Sequence, residues 1–304
     1  MKIFKKIAIA IIALIILIVV GGYLYFDQKF TPEDNYLTVK NESGRVPITW
    51  LGTDKNVLLI PVKFPDDSSK YYMQFDTGSP YTLFYSNSIK NIKGISVKNN
   101  RAKTSFQIGN TQISSDKFKL FNNDKLDEEN DSIKIIGTIG ADILEDRNTA
   151  INLKGSQVAF NLLEKPKEFK NNLSDFKFKK RKIIIKAFLN GNEEKFIYDS
   201  GTSAYELLTN KEIWKQLKSP NSKVVVEKAK SWENTLTSYT ANCKNKLLLN
   251  SKEIPLNEVT YVEGFSEKQY LMMKFSGMTG MLGNKIFLKN CIYIDCIDNK
   301  IGIN

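Results

Sequence analysis

From Val46 onward the apolar residues fall in short runs separated by Gly, Asn, Asp and Ser. VLLIPVKF, YYMQF, SFQIG, KIIIKAFL, KFIY, VVVEKA, KLLLN and CIYID are rich in β-branched and aromatic residues and bounded by turn formers, which reads as strands. Helical spacing is confined to ADILEDR, NKEIWKQL and NKIFLKN. The pattern predicts a mainly β chain with short helices. NNDKLDEENDS (122–132) is polar and acidic and reads as a loop, and KFKKRK (177–182) reads as a solvated charge run at a strand entrance.

One stretch has a different pattern. MKIFKKIAIAIIALIILIVVGGYLYF opens on lysines and continues as an apolar run from Ile7 to Phe26. Twenty helical residues at about 1.5 Å each reach ~30 Å, a bilayer core. Tyr23, Tyr25 and Phe26 suit the far interface, and the preceding lysines predict a cytoplasmic amino terminus (1–6) with the rest outside, periplasmic or extracellular. A cleaved signal peptide is the rival reading. The length of the run and the lack of an A-x-A-like site favour an uncleaved transmembrane anchor over 7–26. Residues 27–45 are polar and read as a stalk.

The chain then repeats itself. KYYMQFDTGSPYTLFYSNSI (70–89) is echoed by EKFIYDSGTSAYELLTNKEI (194–213), and each follows a strand and a turn. GTIGADIL (137–144) is echoed by GMLGNKIF (280–287). A further hairpin closes each copy, TAINLKGSQVAF (149–160) and IYIDCIDNKIGI (292–303). Shared features in a shared order predict a tandem duplication of a β unit. The division is an amino-terminal lobe over 46–165, a linker over 166–180 and a carboxy-terminal lobe over 181–304.

Composition narrows the chemistry. The chain has 304 residues, enough for two lobes, with 42% hydrophobic and 25% charged residues, as in globular proteins. Histidine is absent, which removes Ser-His-Asp and Cys-His mechanisms and the common zinc hydrolases. A net charge of +11 favours anionic neighbours. No zinc-knuckle, RNA-binding or helix-turn-helix pattern accompanies it, so nucleic acid is not an expected partner. Cys291 and Cys296 fall on opposite faces of a strand and are not expected to bond each other. A bridge from one of them to Cys243 and three buried thiols are both open. No metal and no cofactor are implied.

Carboxylates are left to move protons. Each repeat carries apolar-Asp-Thr/Ser-Gly-Ser/Thr, at Asp76-Thr77-Gly78-Ser79 and Asp199-Ser200-Gly201-Thr202. Two aspartates brought about 3 Å apart cannot both ionise and share a proton. One then activates a water, and the other, protonated, hydrogen-bonds the substrate carbonyl. Gly78 and Gly201 allow close approach of the backbone. Thr77 and Ser200 are expected to bond across the lobe interface, and Ser79 and Thr202 to donate to the outer carboxylate oxygens.

FDTGS, YDSGTS and the closing MLGNKIFLKNCIYIDCIDNKIGI make the chain resemble the two-lobed, pepsin-like aspartic peptidases of bacterial type, related to the retropepsin-like enzymes. The resemblance covers residues 46–304. It implies a bilobal fold of two pseudo-symmetric, barrel-like β lobes, with Asp76 and Asp199 as the catalytic pair. It implies that Gly140 and Gly283 underpin the two active-site loops. It also implies a flap hairpin near 99–109 and a cleft between the lobes for a peptide or protein substrate. The chain departs from the family in having no tyrosine between residues 86 and 138, Leu83 where a tryptophan is usual, and Pro80 after Ser79. Two main readings follow: a membrane-anchored aspartic endopeptidase, and an inactive envelope module that binds peptide or protein on the same fold. A third is an unrelated β-rich envelope protein with chance motifs. The aromatic and apolar Tyr81, Phe84, Tyr205 and Leu207 around the loops suggest apolar side chains beside the scissile bond, although Tyr81 and Phe84 are of a kind more often found in the core than in a pocket. Oligomeric state is not read from the sequence.

Overall fold

The computed structural model describes residues 20–22, 24–122, 133–170, 172–231, 234–265 and 276–304. The chain divides into two compact units, Met1–Asp34 and Asn35–Asn304. Most of the expected 7–26 anchor lies outside the described residues. The described helical residues of the first unit run to Lys29 and end on the polar Asp27, Gln28 and Lys29. Among the described residues no helix is long and apolar enough to cross a membrane. The single-pass anchor, the cytoplasmic amino terminus and the extracytoplasmic placement of the rest are therefore withdrawn.

The larger unit is mainly β. Strands make up 51% of the described residues, and the helices among them are short. In the first repeat, Asp67–Phe75 is flanked by Val57–Phe64 and, in parallel, by Ile135–Ile139. Leu83–Tyr85 pairs with Ile135–Ile139 and then with Thr111–Phe121. Arg101–Ile108 pairs with both Thr111–Phe121 and Val57–Phe64, which closes these six strands into a barrel. The predicted alternation explains the closure. Along RAKTSFQI every second residue is buried, so one face of the hairpin turns inward. Phe64, Phe84, Phe106 and Phe118 fill the interior, with ring centroids 5.1–6.3 Å apart.

The second repeat uses the same connectivity. Asn192–Tyr198 lies between Lys182–Leu189 and the parallel Gly280–Leu282. Leu207–Thr209 pairs with Gly280–Leu282 and then, in parallel, with Lys252–Glu263. Asn234–Leu249 joins Lys252–Glu263 and meets Lys182–Leu189 at Phe188 and Leu189, closing the same circuit. The duplication legible in the sequence is thus a duplication of strand pairing. The closing hairpins of the two copies join at Asn148–Asn152 and Cys291–Asp295, which run antiparallel with Ala150 opposite Tyr293. These two residues are repeat equivalents, so the two copies meet about a local two-fold relation. The arrangement is compatible with two β lobes.

The boundaries shift at two places. The expected 27–45 stalk is folded in its second half: Tyr36 and Leu37 are buried and Thr38–Lys40 pairs with Thr111–Phe121. Apolar Tyr36 and Leu37 outweigh their polar neighbours. The expected 166–180 linker ends early, because Ser174–Lys179 pairs with Lys182–Leu189 and with Lys300–Ile303. The three cysteines are free. Burial pushes the Cys291 thiol up to about 11 and raises Cys243 and Cys296 as well.

Candidate active site

Asp76 follows a strand whose last residues are sealed in the core; Met73 and Phe75 are fully buried. Its backbone N–H still belongs to the sheet, donating to Ile139 O at 3.0 Å. The chain then turns, with Ser79 N donating to Asp76 O at 3.1 Å. The second copy does the same: Asp199 N donates to Leu282 O at 2.9 Å and Thr202 N to Asp199 O at 3.1 Å. A strand end fixes each aspartate backbone, and the turn folds donors back onto the carboxylate. Gly78 N donates to Asp76 Oδ1 and Gly201 N to Asp199 Oδ1, each at 2.8 Å.

The two loops face each other. A Cβ on Gly78 would collide with the Asp199 carboxylate, and a Cβ on Gly201 with that of Asp76. Only glycine leaves room for both carboxylates at this junction. Thr77 and Ser200 lock the loops. Thr77 N donates to Ser200 Oγ at 3.0 Å and Ser200 N to Thr77 Oγ1 at 2.9 Å. Their hydroxyls donate onward to backbone carbonyls of the opposite strand, Thr77 to Tyr198 O at 3.1 Å and Ser200 to Phe75 O at 2.8 Å. Both residues are fully buried. Gly140 and Gly283 pass directly against the loop backbones at Tyr81 and Thr202, where any side chain would strike the main chain.

The Asp199 carboxyl is buried and shares a hydrogen bond with Asp76. Loss of solvent is the largest influence on its proton affinity and the negative charge of Asp76 the next, and together they push it up to about 7. The Lys182 ammonium and the Gly201 N–H act in the opposite direction. Asp76 Oδ1 accepts two backbone N–H groups, from Gly78 and Ser79, whereas Gly201 alone is the backbone donor to Asp199 Oδ1.

Several residues take places the sequence did not indicate. The Ser79 hydroxyl donates to Tyr81 O at 2.9 Å and the Thr202 hydroxyl to Asp199 O at 2.9 Å, rather than to the carboxylates. A short hydroxyl side chain in a tight turn reaches backbone carbonyls of its own turn first. Leu207 is a core residue with no exposure, not part of a cleft, and Phe84 is likewise in the core, the commoner place for it. The KFKKRK run is not wholly solvated. Lys180 and Arg181 form the left-handed turn between two strands, and Arg181 and Lys182 reach the Asp76 loop. Arg181 is buried, donates to Pro80 O at 3.2 Å and pairs with Glu145 at 3.1 Å. Lys182 Nζ donates to Gly78 O. Basic residues at a hairpin turn read as solvent-facing, so nothing in the local pattern marks these two. Asp142 was also unmarked. It is buried and accepts from Thr82 N and Thr82 Oγ1, each at 2.7 Å, while Gly140 N donates to Thr82 Oγ1 at 3.1 Å. The glycine strand and the Asp76 loop are tied together there.

Beside the dyad opens a cavity of about 450 Å³ lined by Lys182, Ile197, Asp199, Leu208, Met278 and Met281 among others. Its walls are mostly apolar, with Thr209, Asn210, Ser276 and Thr279 joining Lys182 and Asp199 as the polar lining. In the expected flap region, Ser96–Lys98 and Arg101–Ile108 form a hairpin whose turn, Asn99–Asn100, is left-handed at both residues.

Compared with known proteins, the chain matches no protein-family model, and no curated protein matches it in sequence.

Proposed function

We propose that the chain is an aspartic endopeptidase on a two-lobed, pepsin-like β fold, hydrolysing peptide bonds with a water activated between Asp76 and Asp199. The observation that carries this reading is the mutual approach of the two carboxyls, each under the glycine of the other repeat. Two carboxyls that share a hydrogen bond hold one proton between them and titrate as a pair. Asp199, desolvated, holds the proton. Asp76, with two N–H donors on one oxygen, is held in place to act as the base toward water.

In this mechanism Asp76 takes a proton from water as its oxygen attacks the peptide carbonyl carbon. The Asp199 proton goes to the carbonyl oxygen, so no free oxyanion forms. The tetrahedral species then collapses. The amide nitrogen takes the proton held by Asp76, the C–N bond breaks, and the new carboxylic acid returns a proton to Asp199. The dyad ends as it began. The Thr77–Ser200 lock serves this chemistry by fixing the carboxyl separation, which sets how tightly the proton is shared.

The departure at the flap supports a second reading, a peptide-binding module without activity. The Asn99–Asn100 turn carries no aromatic side chain to close over a substrate. The two readings separate in one experiment. The purified chain, Asp76→Asn and Asp199→Asn are incubated with a mixed peptide pool and the products are read by mass spectrometry. The endopeptidase reading expects cleavage by the wild type and none by either variant. It is sunk by a wild type that cuts nothing, or by a variant that cuts at the wild-type rate.

A further inference from the structure

The two repeats present the same three-residue register beside their aspartates, filled differently. In the second, Ile197 pairs with Met281 and Met281 with Leu208. In the first, Gln74 pairs with Thr138 and Thr138 with Leu83. Ile197, Met281 and Leu208 all line the open cavity beside Asp199. Their counterparts include two polar side chains, Gln74 and Thr138.

The next inward position differs more. Two residues beyond Leu208 is Asn210, whose side chain turns to the following helix and accepts from Ile213 N at 2.9 Å. That leaves the cavity open. Two residues beyond Leu83 is Tyr85, which turns back over its own sheet. Its hydroxyl meets Thr138 Oγ1 at 3.1 Å and its ring lies 6.4 Å from Phe121. Tyr85 is 6% exposed, so the ring is packed and not swinging in solvent. Burial raises its phenol pKa, and the Asp76 charge adds to the rise, which places the ring within the field of the dyad.

We infer that Tyr85 fills the side-chain pocket on the Asp76 side, so that substrate selection is one-sided: a large apolar side chain enters the pocket beside Asp199, and only a small or polar one is accepted on the other side of the bond. This rests on the endopeptidase reading for the identity of the ligand as an extended peptide. The strand register and the Tyr85–Thr138 contact supply the asymmetry independently of catalysis.

The test uses hexapeptide analogues in which a hydroxyethylene unit replaces the central peptide bond, with Ala or Phe on either side of it. Binding to the wild-type chain is measured by calorimetry. Burying a phenyl group corresponds to a gain of about tenfold to a hundredfold in affinity. That gain is expected for Phe on one side and a change under about threefold on the other. Tyr85→Ala is expected to add a second preference for Phe on the previously indifferent side. Leu208→Trp is expected to abolish the first. Equal gains on both sides in the wild type, no binding of any analogue, or a folded Tyr85→Ala with unchanged preference would each overturn the inference. The matching amide peptides are assayed for cleavage in parallel. One-sided binding without cleavage removes the endopeptidase reading and leaves this one. Cleavage with two-sided preference does the reverse.

Discussion

Thr77 and Ser200 each donate a backbone N–H to the other's hydroxyl oxygen, at 3.0 and 2.9 Å, from loops more than a hundred residues apart in the chain. Neither loop can satisfy these buried groups alone. Removing one hydroxyl leaves an N–H of the opposite loop unpaired, a cost of about 1–3 kcal/mol. Thr77→Val and Ser200→Ala should each lower stability by roughly that amount in urea unfolding. Because each hydroxyl serves both loops, the double variant should lose less than the two single losses together. Strict additivity would show that the two loops are held by something else.

The dyad sets a pH limit. Below about 7 Asp199 keeps the proton that the proposed mechanism needs, and above it the proton is lost. Cleavage should therefore fall as pH rises through about 7. An activity still climbing at pH values well above this would remove Asp199 as the proton donor. The displaced hydroxyls of Ser79 and Thr202 matter here. Had they donated to the carboxylates, they would have favoured ionisation and moved this limb toward acid.

Lys182 opposes the rise in Asp199 through its charge. Lys182→Met should raise the proton affinity of the dyad and move the alkaline limb of the pH–rate profile upward. A merely structural lysine would change the rate without moving the limb. The limb position is therefore the readout, with Lys182→Arg expected to restore it.

The repeat, the aspartates and the glycines beneath them were legible because each leaves a local mark. An apolar strand ending in Asp-Thr/Ser-Gly is visible wherever it occurs, and two of them at matched positions define a pair. Arg181, Lys182 and Asp142 left no such mark. Their roles come from which loop lies across from them, and that depends on the pairing of Ser174–Lys179 with Lys182–Leu189 and on the join at Ala150 and Tyr293. Tyr85 was hidden for a related reason. Its alternation places it on the face opposite Phe84, but only the Thr138 contact shows which way the ring turns.

Two buried carboxyls with raised proton affinity also shape stability. Asp199 moves from 3.8 to about 7, and Asp142 from 3.8 to about 6, in each case chiefly through burial. In that interval the folded chain binds more protons than the unfolded one, so stability falls as pH rises. The contribution is fully present below about pH 4 and is lost as pH passes the folded values. Urea midpoints should therefore drop as pH rises from about 3.8 to about 7. The Asp142→Asn, Asp199→Asn double variant should flatten that slope, since neither amide titrates. Asp142→Asn also keeps an acceptor for Thr82, so its own loss of stability should be smaller than that of Asp142→Ala, which leaves the Thr82 N–H unpaired at a cost of about 1–3 kcal/mol. An unchanged slope in the double variant would show that other groups carry the pH dependence, and would remove these two burials as its source.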